Sequence, residues 1–218
     1  WLASLFLLKQ ELGKSKARPK FSEILSKSRA INVLSAARMF LFGARDVWFV
    51  VALPVYLHTV FGWDFWKVGG FMATWVIGYG FIQAIAPRIT GSMQGKLPTV
   101  LWAAALALIP AAIATGLMAG WSPQVVVIGG LLLFGVLFAI NSSLHSYLIV
   151  SYARSDGVSL DVGFYYMSNA AGRLLGTILS GWVYQVYGLE ACLWISAGLV
   201  AMAASLSLML PEKRPVTA

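Results

Sequence analysis

Arg38, Arg45 and Asp46 fall inside one apolar stretch, SAARMFLFGARDVWFVVALPVYL at 35–57. Asn169 and Arg173 fall inside another, MSNAAGRLLGTILSG at 167–181, and Asn141 and His145 inside a third, NSSLHS at 141–146. A guanidinium is a planar fork that matches two oxygens of a carboxylate, phosphate or arsenate, so three such forks point to oxyanion chemistry. Arg45 and Asp46 are neighbours, and on a helix adjacent side chains diverge by about 100° and face one another poorly. Asp46 is therefore expected to neutralise at most one arginine, either orienting it or carrying a coupling proton. The remaining cation invites an anionic ligand. The plainer reading of each residue stays open: a buried ion pair that fixes helix register, Arg38 snorkelling to the water, His145 as a hydrogen-bonded core histidine, and Asn141 as a helix-packing donor. Gly172 and Gly176 form a GxxxG spacing, for which close helix approach is explanation enough.

The elements that carry these residues are membrane helices. Hydrophobic residues make up 59% of the 218 and charged residues 11%, where a water-soluble domain carries about 25% charged. Unbroken apolar runs near 31–60, 66–87, 98–119, 124–152, 162–186 and 190–210 are each long enough to cross. Helices fit such runs and barrel strands do not. The net charge of +8 belongs to loops obeying the positive-inside rule and not to nucleic-acid binding. Lys9 to Arg29 holds seven Lys or Arg, and alternation puts Arg88, Lys96, Arg154, Lys213 and Arg214 on the same side. The other side keeps only Lys67. That asymmetry predicts that both ends of the segment are cytoplasmic. Trp63, Trp66, Trp121, Trp182 and Tyr187 gather at the outer ends as an interfacial belt.

The expected organisation is then the tail of a preceding helix at 1–8, a basic cytoplasmic loop at 9–30, a six-helix bundle at 31–210 and a cytoplasmic tail at 211–218. WLASLFLL is too short to span, which suggests that a transmembrane half precedes this sequence. FSEILSKSRAI reads equally as a surface helix on anionic lipid or as a solvated linker. Spans 98–119 and 190–210 have few polar residues and are expected to face lipid. Arg45 and Arg173 are expected near the midplane. Arg38 and His145 are expected together at a shallower, cytoplasmic level.

Several chemistries lack their motifs. There is no P-loop, no G-x-S-x-G elbow and no H-E-x-x-H zinc motif. The single cysteine, Cys192, can form neither an internal disulfide nor a cysteine metal site. No enzyme activity, cofactor, metal or nucleic acid is expected. An intramembrane enzyme would have to rely on Asp46 and His145 for acid–base work.

Six spans with both ends cytoplasmic, polar first, fourth and fifth spans and apolar third and sixth spans resemble one half, the C-terminal one, of a major facilitator superfamily transporter. The resemblance implies two inverted three-helix repeats, with the first and fourth helices lining a cavity. PRITGSMQGKLP stands where that family has a glycine- and arginine-rich signature loop, but it lacks the expected Asp, so its gating role does not carry over. KSRAINVLSAARMFLFGARDVWFVVALPVYL, VGGFMATWVIGYGFIQAIAP and MSNAAGRLLGTILSGWVYQ resemble more narrowly the ArsJ-type organoarsenical efflux permeases. This implies export of the arsenate ester 1-arseno-3-phosphoglycerate by alternating access, with Arg38, Arg45, Arg173, His145, Asn141 and Asn169 as candidate substrate contacts. A pentavalent ester calls for guanidinium forks and not the thiolates that trivalent arsenic would need. Other sugar phosphates, other organic acids and a non-transporting membrane scaffold remain the alternatives.

Overall fold

Pro54 interrupts the first apolar stretch. It has no N–H to give, and its ring crowds the carbonyl four residues back. The helix stops at Phe49 and resumes at Ala52. An N–H at the break, that of Ala52, donates to Ser180 Oγ 3.1 Å away on a later helix. The expected single span 31–60 is therefore two helices in line.

The computed structural model describes residues 28–91, 95–153 and 158–211. The helix tail at 1–8, nearly all of the basic loop at 9–30 with most of FSEILSKSRAI, and the tail beyond Pro211 lie outside the described residues. So do Arg154, Lys213 and Arg214. Regular structure among the described residues is entirely helical: α1 Arg29–Phe49, α2 Ala52–Thr59, α3 Phe65–Thr90, α4 Lys96–Met118, α5 Pro123–Tyr152 and α6 Val158–Ser207. Asp64 caps α3 by accepting from the Lys67 N–H at 2.8 Å. Pro123 opens α5 at a position where a missing N–H costs nothing. By length and composition five helical stretches can cross a bilayer, α1 and α2 counting as one. The chain is a multi-pass membrane protein.

Helix α6 has 50 residues, about 75 Å if straight, against roughly 30 Å of hydrocarbon. It is not straight. Gly188 takes φ +82° and ψ −175°, a region essentially reserved for glycine. Before that point Gly172 lies against Met39, Gly176 against Gly43, and Ser180 on Ala52. This arm ascends alongside α1. After Gly188, Ser196 Oγ donates to the Ala44 carbonyl at 2.7 Å, and Leu210 joins a cluster with Ile31 and Leu34. The second arm descends. Replacing Gly188 with Ala should cost about 1–3 kcal/mol through backbone strain. The expected result is a lower melting temperature in detergent, and an unchanged one would remove the turn from the fold's requirements.

The core is built from α1, α2, α4, α5 and α6, with Val68 and Trp75 of α3 at its edge. Trp48 meets Phe134 edge-on at 5.2 Å, and Phe42 meets Phe138 at 5.1 Å. Lipid supplies little hydrophobic drive between helices, so packing and interhelical hydrogen bonds hold them. Trp75 Nε1 donates to the Leu131 carbonyl at 3.1 Å, tying α3 to α5. Spans 98–119 and 190–210 are expected to face lipid, and α3 is more exposed than α4. Along its apolar stretch only 11% of the residues of α3 are buried, against 33% of those of α4, where Leu106 is wholly buried. Residue apolarity cannot distinguish a lipid-facing side chain from one packed against a neighbouring helix, because both surroundings are hydrocarbon. Trp66, Trp121, Trp182 and Tyr187 of the expected interfacial belt are exposed, while Trp63 packs on Phe61 and Phe71.

Candidate functional site

Three glycines set the geometry of the site. A Cβ on Gly172 would lie 2.1 Å from the Met39 carbonyl oxygen, and one on Gly176 would lie 2.6 Å from that of Gly43. Gly43 in turn faces Gly172. Helix α1 and the first arm of α6 thus touch backbone to backbone. Arg173, next to Gly172, is thereby carried to Asp46, one turn along α1 from Gly43.

Asp46 is buried and holds two arginines at once. Its Oδ1 accepts from Arg45 Nε at 2.6 Å, and its Oδ2 accepts from Arg173 Nε at 3.1 Å. This corrects the expectation that Arg45 and Asp46 face one another poorly. The long Arg45 side chain folds back along the helix, so divergence at Cβ does not decide where the guanidinium ends. Two cations share one carboxylate, which leaves one positive charge in excess. In these bonds each arginine uses only Nε, so the terminal nitrogens are the donors left for a ligand. The Arg45 side chain is 13% exposed and lies over Phe42 and Phe138, 4.9 and 5.4 Å from the ring centres. That of Arg173 is 55% exposed.

A second polar level lies about 10 Å along α1. Arg38 is buried, and its Nη1 donates to the Ser142 carbonyl of α5 at 3.1 Å. The guanidinium lies over Phe42 at 4.0 Å and Tyr165 at 5.1 Å, contacts that in desolvated settings are worth up to ~2 kcal/mol each. His145 is buried one turn beyond Ser142, and neither ring nitrogen has a hydrogen-bond partner among the described residues. Nor do Arg38 Nε and Ser35 Oγ. Ser142 is a junction: its carbonyl takes Arg38 and the Ser146 hydroxyl, and its own hydroxyl accepts from Gln83 Nε2 of α3 at 3.4 Å.

Neither remaining candidate is hydrogen-bonded to an arginine among the described residues. Asn141 Nδ2 donates to the Trp102 and Leu137 carbonyls, both at 2.9 Å, so its donors bind α5 to α4 and only Oδ1 is left without a partner among the described residues. Asn169 lies one turn before Arg173, with a buried Oδ1 that has none among the described residues. Sequence reasoning missed the partners that complete the site, namely Gly43, Phe42, Phe138 and Tyr165. Gly43, between two charged positions, was the one legible hint. The aromatic residues are indistinguishable in sequence from ordinary core.

No protein-family model matches the chain. The chain is similar to the quinolone resistance protein NorB of Staphylococcus aureus (strain bovine RF122 / ET3-1), with 21% identity over 219 residues. The match covers 97% of this chain and 46% of that protein. The chain thus spans about half the length of the curated relative it matches.

Proposed function

We propose that this chain is one six-span half of a secondary transporter of the major facilitator type, and that the whole protein exports an organic anion by alternating access. The observation that carries this is the Arg45–Asp46–Arg173 cluster. One cation is in excess in an apolar bundle, and the Arg173 guanidinium is open to a ligand. Splitting α6 at Gly188 gives the sixth span. The weak likeness to a resistance protein supports outward movement of a toxic compound, and the half-length match supports a partner half elsewhere in the protein. In this reading the inner membrane holds the protein with both ends of the segment cytoplasmic. No chemical step is catalysed and no cofactor is needed. Arg45 and Arg173 clamp the anion, and Arg38 with His145 forms the cytoplasmic approach.

The finer proposal is that the anion is the arsenate ester 1-arseno-3-phosphoglycerate. It rests on the sequence resemblance and on guanidinium chemistry, which serves phosphate and arsenate alike. Flux of the ester from cells expressing the full-length protein, compared with 3-phosphoglycerate, tests it. Equal flux would leave a general organic-anion exporter, and no flux of either would overturn transport.

Asp46 positions both forks in this scheme. Asp46→Asn should therefore depress uphill export and counterflow exchange in parallel, each by about tenfold or more, as expected when a charge-assisted hydrogen bond worth roughly 1.5–3 kcal/mol is lost. Loss of uphill export with exchange intact would instead make Asp46 the coupling group.

A further inference from the structure

Four buried polar side chains gather around Arg38: Arg38 itself and Ser35 on α1, His145 on α5 and Tyr165 on the first arm of α6. The Arg38 guanidinium lies 5.1 Å from the Tyr165 ring centre, and its bond to the Ser142 carbonyl holds it one turn from His145. Ser35 is one turn before Arg38 on the same face of α1. The Tyr165 hydroxyl lies beside Ser146, the next residue after His145. Each of the four keeps a hydrogen-bonding atom without a partner among the described residues: Ser35 Oγ, Arg38 Nε, both ring nitrogens of His145 and the Tyr165 hydroxyl. Other buried polar groups are used to tie helices together, as Ser196 is on Ala44 and Asn141 on Trp102. Orphans collected in one place call for an occupant.

Charge says what the occupant is. No carboxylate pairs with Arg38 among the described residues. Asp46 is taken by Arg45 and Arg173, and Arg45, which shares the Phe42 ring with Arg38, is another cation. Asp161, one turn before Tyr165, has an interaction of its own and hydrogen-bonds none of these atoms. A buried cation without a counter-charge is strongly disfavoured, and water alone would not neutralise it. The guanidinium, the two hydroxyls and the imidazole can each give a hydrogen, which suits an occupant that only accepts. Size is limited by enclosure. None of the four side chains is more than 4% exposed, so this segment alone closes the site, and neither a phosphate ester nor an acid from another part of the protein has a face to approach. We infer that Ser35, Arg38, His145 and Tyr165 hold a resident halide, chloride in the cell, which joins α1 to α5 and α6. The inference goes beyond the transport reading and does not depend on it.

The full-length protein, purified in detergent and exchanged into gluconate, provides the test. Radiolabelled chloride should bind saturably, bromide should displace it and gluconate should not. The melting temperature should climb with chloride concentration, as for any ligand that binds the folded state alone. Ser35→Ala and Tyr165→Phe each delete one hydroxyl and leave the charge in place. Each should weaken chloride about tenfold, the usual effect of losing one hydrogen bond to a charged group. In gluconate the same two variants should melt no lower than the parent, because the donor they remove has no partner there. In chloride they should melt lower. A hydroxyl with a merely structural role would act alike in both salts, and that result overturns the inference. Arg38→Gln should abolish chloride binding, whereas Arg173→Gln should leave it unchanged. Loss of binding in Arg173→Gln, with Ser35→Ala and Tyr165→Phe unaffected, would put the ion beside Asp46 and overturn the inference. Identical melting in chloride and gluconate without saturable binding would mean that water satisfies the four groups, and the inference would fail.

Discussion

Gly172→Ala is expected to remove most folded protein from the membrane and to lower export at least tenfold. The added Cβ would sit 2.1 Å from the Met39 carbonyl oxygen and 2.8 Å from its carbon. Both are backbone atoms of α1, which no rotamer change can move, so the helices must separate. Overpacking of this kind costs about 3 kcal/mol, at the upper end of the usual range. The displacement also acts on function, because Arg173 is the next residue and its Nε reaches Asp46 across this contact at 3.1 Å. Gly181→Ala, on the same arm of α6 with nothing within 4 Å of the new Cβ, should be neutral in both abundance and export. Measuring both quantities for the two variants checks the claim. Equal behaviour would show that the backbone contact does not hold the site together.

The same contact marks the limit of what the sequence discloses. The six apolar runs are legible because a helix in lipid must satisfy its own backbone; the described helices differ from them at Pro54, which cuts the first run, and at Gly188, where the last two runs join in one kinked helix of 50 residues. The GxxxG spacing points to a close approach but not to a partner. Gly43 cannot be paired with Gly172 without knowing which two helices cross. The joint hold of Asp46 on Arg45 and Arg173 escapes the sequence for a related reason. Helical periodicity fixes Cβ directions, while the reach of an arginine is decided by its flexible arm and by Phe42 and Phe138 beneath it. Exposure is the least legible property. Phe65, Trp66, Ile77 and Phe81 of α3 are all exposed, yet nothing in their identities separates them from the buried Trp48 or Phe134.

Arg173→Lys is expected to cut export about ten- to a hundredfold while the protein still inserts and folds. Lysine keeps the charge that Asp46 requires, and the site is open enough, with the Arg173 side chain 55% exposed, to admit a shorter-headed cation. What it loses is the planar fork, and with it a charge-assisted hydrogen bond to the cargo worth roughly 1.5–3 kcal/mol. Arg45→Lys should impair export similarly but fold less well, because the Arg45 guanidinium also lies over Phe42 and Phe138 and an ammonium stacks poorly on a ring face. A purely architectural cluster predicts another order. There, each lysine variant would transport nearly normally, and alanine would harm abundance first, more at Arg45, whose pair with Asp46 is largely buried, than at the half-exposed Arg173. Membrane abundance and efflux measured side by side for the lysine and alanine variants separate the two cases. Normal efflux in Arg173→Lys would assign the charges of 38–46 and 173 to holding α1 against α6, and the cargo would have to bind elsewhere.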